Sequence, residues 1–489
     1  MKKNMWAASV ITLIAFSSPG LAQDQLELTL DAYVAMIKAQ GGQFDYSAKN
    51  VGSDGSVEYR DLKLASGDGS FGVDAQWLRA TPNGDAVTVT LAPSVLITMT
   101  PADATESSTV TMTSQNFAFT TNALVPDPTL LEMVDIAMSA DELKIADLTG
   151  TNPFLKDVNI AQTGLEMSFT YDGPAQTAGG SWKADTIAGL YAISMEGMES
   201  SSDSSLNDFA MNFSFDIANE ESFPQFLTGE KDFSAKFETS GSQGKGSTTQ
   251  EGMSFAYEST GGTSSALVEI VGGMMTYSVK GVDVTMLLTP QGVPMPPVNI
   301  SMKEIGMDVV MPFNAVAAPA QALVALKLGD VAVGEELWSM IDPGQTIARD
   351  PLNIDINMTS MIQVIGDLTA AMAGAVASPT EVVNINDLTI NSFLISAAGA
   401  SVIAGGALTF DNSGPMPMPL GTLNVEINGA QGLSQKLVEL GLVVAMQSGM
   451  SMGMIMSFAK PGAGDDQFTS EIEFKDDGSI TANGQPLPM

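Results

Sequence analysis

The 489-residue chain has no cysteine, no histidine and only three arginines, Arg60, Arg79 and Arg349. The missing cysteines exclude disulfides and thiolate nucleophiles. Without histidine there is no imidazole base, and with both absent the usual ligands of zinc, haem and iron–sulfur centres are gone. Positive charge is scarce as well, with 20 lysines and arginines against 56 acids. So negative a surface repels phosphate backbones and anionic headgroups, which excludes nucleic acid as a partner. Aromatic residues make up 7% of the chain, and beyond residue 22 tryptophan is limited to Trp77, Trp182 and Trp338. That is a thin supply for the sugar-stacking cleft in which a glycosidase holds its paired carboxylates.

What is present is hydrophobic content, 44% of residues, enough to fill a large core. Lys2 and Lys3 precede an apolar run from Trp6 to Phe16, then Ser17-Ser18-Pro19-Gly20 and the small-residue pattern Gly20-Leu21-Ala22. This is the layout of a secretory signal peptide, residues 1–22, with cleavage expected after Ala22 and a periplasmic destination. The apolar core is too short for the roughly 20 residues a bilayer needs, so no stable membrane span is expected after cleavage. Removal of the two lysines leaves 18 basic and 56 acidic residues. In an oxidising compartment a cysteine-free chain rests on burial and hydrogen bonding alone.

After residue 41 the main signal is period-two alternation, which marks strands with one buried face. Examples are Val87-Thr88-Val89-Thr90-Leu91 and Leu165-Glu166-Met167-Ser168-Phe169. Met275/Tyr277/Val279, Leu352/Ile354/Ile356/Met358 and Leu423/Val425/Ile427 repeat the design. The fold class that follows is mainly β: long curved antiparallel sheets in two β-rich lobes, with a few packing helices. The polar run Ser200-Ser201-Ser202-Asp203-Ser204-Ser205 sets a boundary at 199–208. The lobes are then 23–200, with a leading helix over Leu30, Tyr33, Val34 and Ile37, and 201–489. Helices are expected in the second lobe near 315–326, 359–375 and 431–459, the last as a buried helical pair. Gly41-Gly42 supplies the stop of the leading helix.

Motifs that carry chemistry fail on context. Gly449-Met450-Ser451-Met452-Gly453 fits the nucleophile elbow, which needs a histidine that the chain lacks; a flexible Gly/Met connection is the reading. Gly67-Asp68-Gly69-Ser70-Phe71-Gly72 fits the dinucleotide fingerprint, but Val73 to Leu78 reads as a strand where a helix is required. Neither calcium pattern is present. No catalytic residue, cofactor or metal ligand is expected, and no enzyme. Methionine is abundant, 31 residues, and Met450, Met452, Met454 and Met456 alternate. Thioethers bind Cu(I), yet helical spacing would point these four to different faces. Packing, or an adaptable surface for apolar ligands, fits methionine better.

The segment Glu336-Leu337-Trp338-Ser339-Met340-Ile341-Asp342-Pro343, with Arg349-Asp350-Pro351, resembles an uncharacterised family of exported Gram-negative proteins, domain-of-unknown-function family 2125. Gly405-Gly406-Ala407-Leu408-Thr409-Phe410-Asp411 and Phe468-Thr469-Ser470-Glu471-Ile472-Glu473-Phe474-Lys475 are similar to the same family. The resemblance implies no catalytic residues. Physically, Trp338 reads as a core anchor, Asp342-Pro343-Gly344 as a turn and Gly405-Gly406 as a tight strand connection. Arg349 is expected to pair with Asp342 or Asp350. The run from Val383 to Ile427 resembles the β-rich repeats of AsmA-like envelope proteins. Those are long curved sheets with an apolar inner surface, associated with lipid movement between membranes. The expected function is non-catalytic: binding an apolar ligand or assisting envelope lipid homeostasis. The alternative is an acidic interaction scaffold for a protein partner whose identity the sequence does not give.

Overall fold

Alternating apolar and polar residues pay for a strand by burying one side only, and along this chain they do so repeatedly. The computed structural model describes residues 23–39, 41–84, 86–100, 107–122, 133–150, 155–195, 198–217, 231–250, 252–315, 318–366, 368, 382–414 and 417–487. It is 67% strand and 11% helix, with antiparallel pairing and four helices among the described residues. The fold is mainly β with a few helices, as the alternation implies. Residues 1–22, where the signal peptide is expected, lie outside the described residues.

The chain divides into two compact units: Met1–Ile217 with Phe237–Tyr257, and Ala218–Lys236 with Glu258–Met489. In the first unit, helix α1 (Gln23–Ala39) lies against the opening strands. Leu26 and Ile37 are buried with Phe44, Val57, Tyr59, Leu62, Val87 and Phe119, while Leu30, Tyr33 and Val34 pack against that core. The Phe44 and Tyr59 rings meet edge to face at 5.2 Å. The helix stops where expected: Gly41 takes a φ of 83°, and the Gly42 amide donates to the Ile37 carbonyl at 2.9 Å. Lys49 ties α1 to the sheet through Glu27 at 2.9 Å and Asp31 at 2.6 Å. Strand Phe71–Asn83 confirms that the glycine-rich segment before it is a turn and not a dinucleotide loop. Four long strands follow: Met133–Thr149, Leu155–Asp172, Thr177–Met195 and Met198–Asp216, each paired with the next.

The serine run assigned to a boundary at 199–208 lies inside strand Met198–Asp216. Its polarity reflects cross-strand hydroxyl contacts, not a linker. Ser200 meets Thr248 and Ser201 meets Ser247, both at 3.1 Å, and the Tyr257 hydroxyl donates to Ser202 at 2.8 Å. Hydroxyl pairs of this kind stabilise neighbouring strands.

The second unit is a meander. Ser264–Val271, Met274–Gln291, Val298–Pro312, Ala320–Val333, Leu352–Val364, Asp387–Ala397, Ala400–Asp411, Met418–Asn428 and Gln467–Phe474 pair antiparallel in that spatial order. Helix α2 (Glu335–Ile341) interrupts it after the fourth strand. Helices α3 (Ala430–Glu439) and α4 (Ala445–Phe458) form a pair between the last two strands. The helical pair expected over 431–459 is therefore present, but it is not the buried pair the apolar run implied: neither helix has a buried residue.

The two other expected helices meet strands among the described residues. The segment expected as a helix near 315–326 enters strand Ala320–Val333. Its alanines favour a helix in isolation, but each edge of this strand pairs with a long neighbour, and that tertiary pairing overrides propensity. The helix expected over 359–375 begins instead as the end of strand Leu352–Val364, where Thr359, Ile362 and Val364 are β-branched. Residues 367 and 369–375 of that expectation lie outside the described residues.

Candidate functional site

Register in the second unit aligns apolar residues across the sheet. One row runs Val268, Tyr277, Val309, Val324, Met358, Ile390, each opposite the next on a neighbouring strand. It continues through Gly406 and Leu423 to Ile472. A parallel row holds Ala266, Val279, Met307, Leu326, Ile356 and Phe393. Directly opposed residues share a face, so these rows form one apolar surface. It crosses nine strands, or about 38 Å at the usual strand spacing of roughly 4.8 Å.

This surface is open. Tyr277 is 37% exposed, Met307 42% and Val324 43%, and Val309, Leu326, Ile356 and Met358 are only half-buried. The opposite face is polar and ion-paired. Ser278 donates to Asp308 at 2.5 Å, Lys280 lies 3.5 Å from Asp308, Lys327 lies 2.9 Å from Glu304, and Ser392 donates to Asp355 at 2.6 Å. One sheet thus presents a wetted side and a greasy side. Monomers rarely leave a large contiguous apolar patch without a use for it.

At one end of the apolar face, Phe458 at the close of α4 lies with Val425, Ile427, Phe468 and Ile472 around a void of about 40 Å³. The pair α3–α4 is rooted there by directed bonds. Asp466, 35 residues along the chain, accepts from the Gln431 and Gly432 amides at 2.9 and 2.7 Å and so caps α3. The Phe458 carbonyl accepts from the Ser470 hydroxyl at 2.5 Å and the Asn483 amide group at 3.1 Å.

The four alternating methionines belong to α4. Met450, Met454 and Met456 are exposed, and Met452 is half-buried. Successive members lie about 200° apart around the axis, so Met450 and Met454 share one side while Met452 and Met456 share the other. No single patch gathers all four. The elbow-like Gly449 to Gly453 is mid-helix, not the flexible connection its glycines suggest. Ser451 there is on no strand-to-helix turn, and helical hydrogen bonding absorbs the glycines.

Trp338, Asp342, Pro343 and Arg349 form a knot at α2. The Asp342 side chain is fully inaccessible and accepts from the Thr346 amide at 2.9 Å, the Ile347 amide at 2.7 Å and Arg349 Nη1 at 2.8 Å. Arg349 Nη2 donates to the Asp342 carbonyl at 3.0 Å, and the guanidinium lies 4.3 Å above the Trp338 ring. Arg349 therefore pairs with Asp342 and not with Asp350. Pro343 and Gly344 make the expected turn, closed by the Gln345 amide on the Asp342 carbonyl at 3.1 Å. Trp338 is not the core anchor expected: it lies on α2, a helix with no buried residue, half-buried with the arginine stacked over its ring. Gly405-Gly406 is not a strand connection: both lie inside strand Ala400–Asp411, where Gly406 faces Ile390 and Leu423.

Burial pushes the Asp342 carboxyl upward, but the Thr346 and Ile347 amides and Arg349 outweigh it and hold it at about 2, against an ordinary 3.8. A depressed acid contributes stability above its unfolded value and loses it as pH falls through the folded one. The urea midpoint of the protein should therefore hold from neutrality to about pH 4 and fall between about pH 4 and 2. Asp342→Asn should have a lower midpoint at neutrality and lose less of it across that interval.

A concavity of about 470 Å³ in the first unit is lined by Asp141, Glu166, Lys183, Asp185 and Asp208 among others. Its carboxylates have no buried base or nucleophile beside them. Among the described residues no group of three or more acids is placed to hold a metal ion, and no helix is long and apolar enough to cross a membrane.

Part of the apolar face was visible in the alternation at Tyr277, Val279, Ile354, Ile356, Met358 and Leu423. Val324 and Leu326 were obscured by the helical reading of the alanine-rich segment, although their alternation with Leu328 carried the signal. Fold and face together define a mainly β protein organised around a one-sided antiparallel sheet. No family model matches the chain, and neither does any curated protein or solved structure.

Proposed function

We propose that the protein works without a reactive centre, as an envelope protein that lays apolar chains such as lipid acyl groups along the open face of its second unit. The observation that carries this reading is the continuous apolar surface over nine strands, with Tyr277, Met307 and Val324 more than a third exposed. Its breadth of about 38 Å exceeds the roughly 15 Å of one leaflet's hydrocarbon, so an extended acyl chain fits along it. Covering half-exposed valine, leucine, isoleucine and methionine side chains removes apolar area from water, which is favourable at about 25 cal/mol per Å². Methionines at Met307 and Met358 adapt to chains of varied shape. An exported, periplasmic setting suits this role, as does the resemblance to AsmA-like sheets. The acidic excess keeps such a surface soluble and away from anionic membranes.

The test is native mass spectrometry of protein purified from the envelope fraction, paired with uptake of a fluorescent fatty acid. Co-purifying lipid and saturable uptake are expected. Met307→Asp with Val324→Asp should weaken uptake about tenfold or more, because a bound chain would then desolvate two carboxylates. Both positions are exposed, so folding is retained and is checked by circular dichroism. A clean apo mass with no uptake, or full uptake by the double variant, overturns the proposal. So does capture of a basic protein partner released at high salt in place of lipid.

A further inference from the structure

We infer that the α3–α4 pair is a docking element that enters the outer part of an electrically neutral phospholipid bilayer. The inference stands apart from ligand binding on the sheet, because it rests on different residues. From Leu440 to Ala459 there is no charged side chain. Helix α4 has no buried residue at all. Met446 is 74% exposed, Met450 66% and Met454 65%, with Met456 at 57% on the other side of the helix. Leu442 and Val444, in the turn between the helices, are exposed too.

A helix apolar all round is normally enclosed on all sides. A protein groove or a second copy would cover one stripe and leave the opposite methionines wet; lipid covers both. Both ends of the pair are rooted in the sheet, at Gly429 and Ala459, so the turn carrying Leu442 and Val444 is the far tip. The dimensions agree with partial entry. Fourteen residues rise about 21 Å, more than one leaflet's hydrocarbon of roughly 15 Å and less than the roughly 30 Å of a span.

The root is stiff. Asp466 caps α3, the Ser434 and Ser448 hydroxyls meet at 2.6 Å, and the Phe458 carbonyl is held by Ser470 and Asn483. Glu439 and Lys460 flank the uncharged run, with Lys436 one turn before Glu439. Glu439 limits entry of the α3 end to headgroup depth, and the two ammonium groups reach headgroup phosphates while their stems follow the apolar body. Neutral lipid is specified by charge: a chain of net charge −36 is repelled by an anionic surface.

Flotation of the full chain with phosphatidylcholine vesicles tests this. Binding that withstands raised salt is expected, with weaker binding at low salt when phosphatidylglycerol is included. Met446→Glu, Met450→Glu and Met454→Glu together should reduce binding more than about tenfold, and these exposed sites leave folding unchanged. A tryptophan introduced as Leu442→Trp should shift its emission to the blue on phosphatidylcholine. Absence of flotation, an unshifted emission, or equal binding by the triple variant overturns the inference. So does a sedimentation result in which the triple change splits a dimer and leaves vesicle binding intact. The sheet variant M307D/V324D should dock as the parent does, so failure of docking and failure of ligand uptake are read separately.

Discussion

Arg349→Ala should lower the thermal midpoint by roughly 6–12 °C for a unit of this size, the consequence of leaving a buried carboxylate without its counter-charge. Asp342 is wholly inaccessible and has three donors, two amides and Arg349 Nη1. Removing the arginine leaves the amides but deletes the positive charge, the bond to the Asp342 carbonyl and the stacking over Trp338. Arg349→Lys should recover less than half of the loss. An ammonium supplies charge but not a planar fork that reaches Oδ2 and the main-chain carbonyl together. The double change with Asp342→Ala should be milder than the sum of the singles, since the orphaned carboxylate is then gone. Differential scanning calorimetry reads the parent, the three single variants and the double. A midpoint for Arg349→Ala within about 2 °C of the parent would mean the knot is decorative.

The same knot marks what a sequence can disclose. The Asp342-Pro343-Gly344 turn and the choice between Asp342 and Asp350 for Arg349 are local matters, six or seven residues of chain, and composition narrows them well. The leading helix was readable for the same reason: Leu30, Tyr33, Val34 and Ile37 share a stripe, and Gly41 ends it. Strand Ala320–Val333 was misread because its alanines speak for a helix and its partners are distant. Its register is set by residues 300–310 and 352–362. Asp466 as the cap of α3 was out of reach on the same ground, 34 and 35 residues from the amides it receives. The apolar face is a product of register. Alternation tells which residues of a strand lie together, and only pairing tells that Tyr277, Val309, Val324 and Met358 stand in line. The run 200–205 shows the converse: it looked like a linker until the cross-strand hydroxyl partners of Ser200, Ser201 and Ser202 were in view.

Gly406→Ala should be among the most damaging single changes in the second unit, while Gly405→Ala, one residue away, should be nearly silent. Gly406 takes a φ of 144°, and a Cβ there would run into the Thr422 carbonyl and stand 3.0 Å from the Leu423 Cα. Both obstacles are backbone of the adjoining strand Met418–Asn428, so no side chain can rotate out of the way. Gly421 mirrors the arrangement from that strand, with a φ of 137° and a Cβ directed at the Ala407 carbonyl. Each strand thus contributes one glycine at a close approach to the other, Gly406 opposite Leu423 and Gly421 opposite Leu408. A Cβ on Gly405, by contrast, would find nothing nearer than the Ile390 carbonyl at 3.9 Å. Strain at such a position, added to the forced separation of two strands, costs about 2–4 kcal/mol. For Gly405 the reduced freedom of the unfolded chain offsets any cost, leaving a change within about 0.5 kcal/mol. The effect extends to function, because Gly406 links Ile390 to Leu423 in the apolar row. Separating the strands there interrupts the surface, so Gly406→Ala should lose fatty-acid uptake under conditions where it is still folded, and Gly405→Ala should retain it. Urea midpoints and probe titrations on the two variants decide the matter; equal midpoints would mean that the strands can separate at that row without cost.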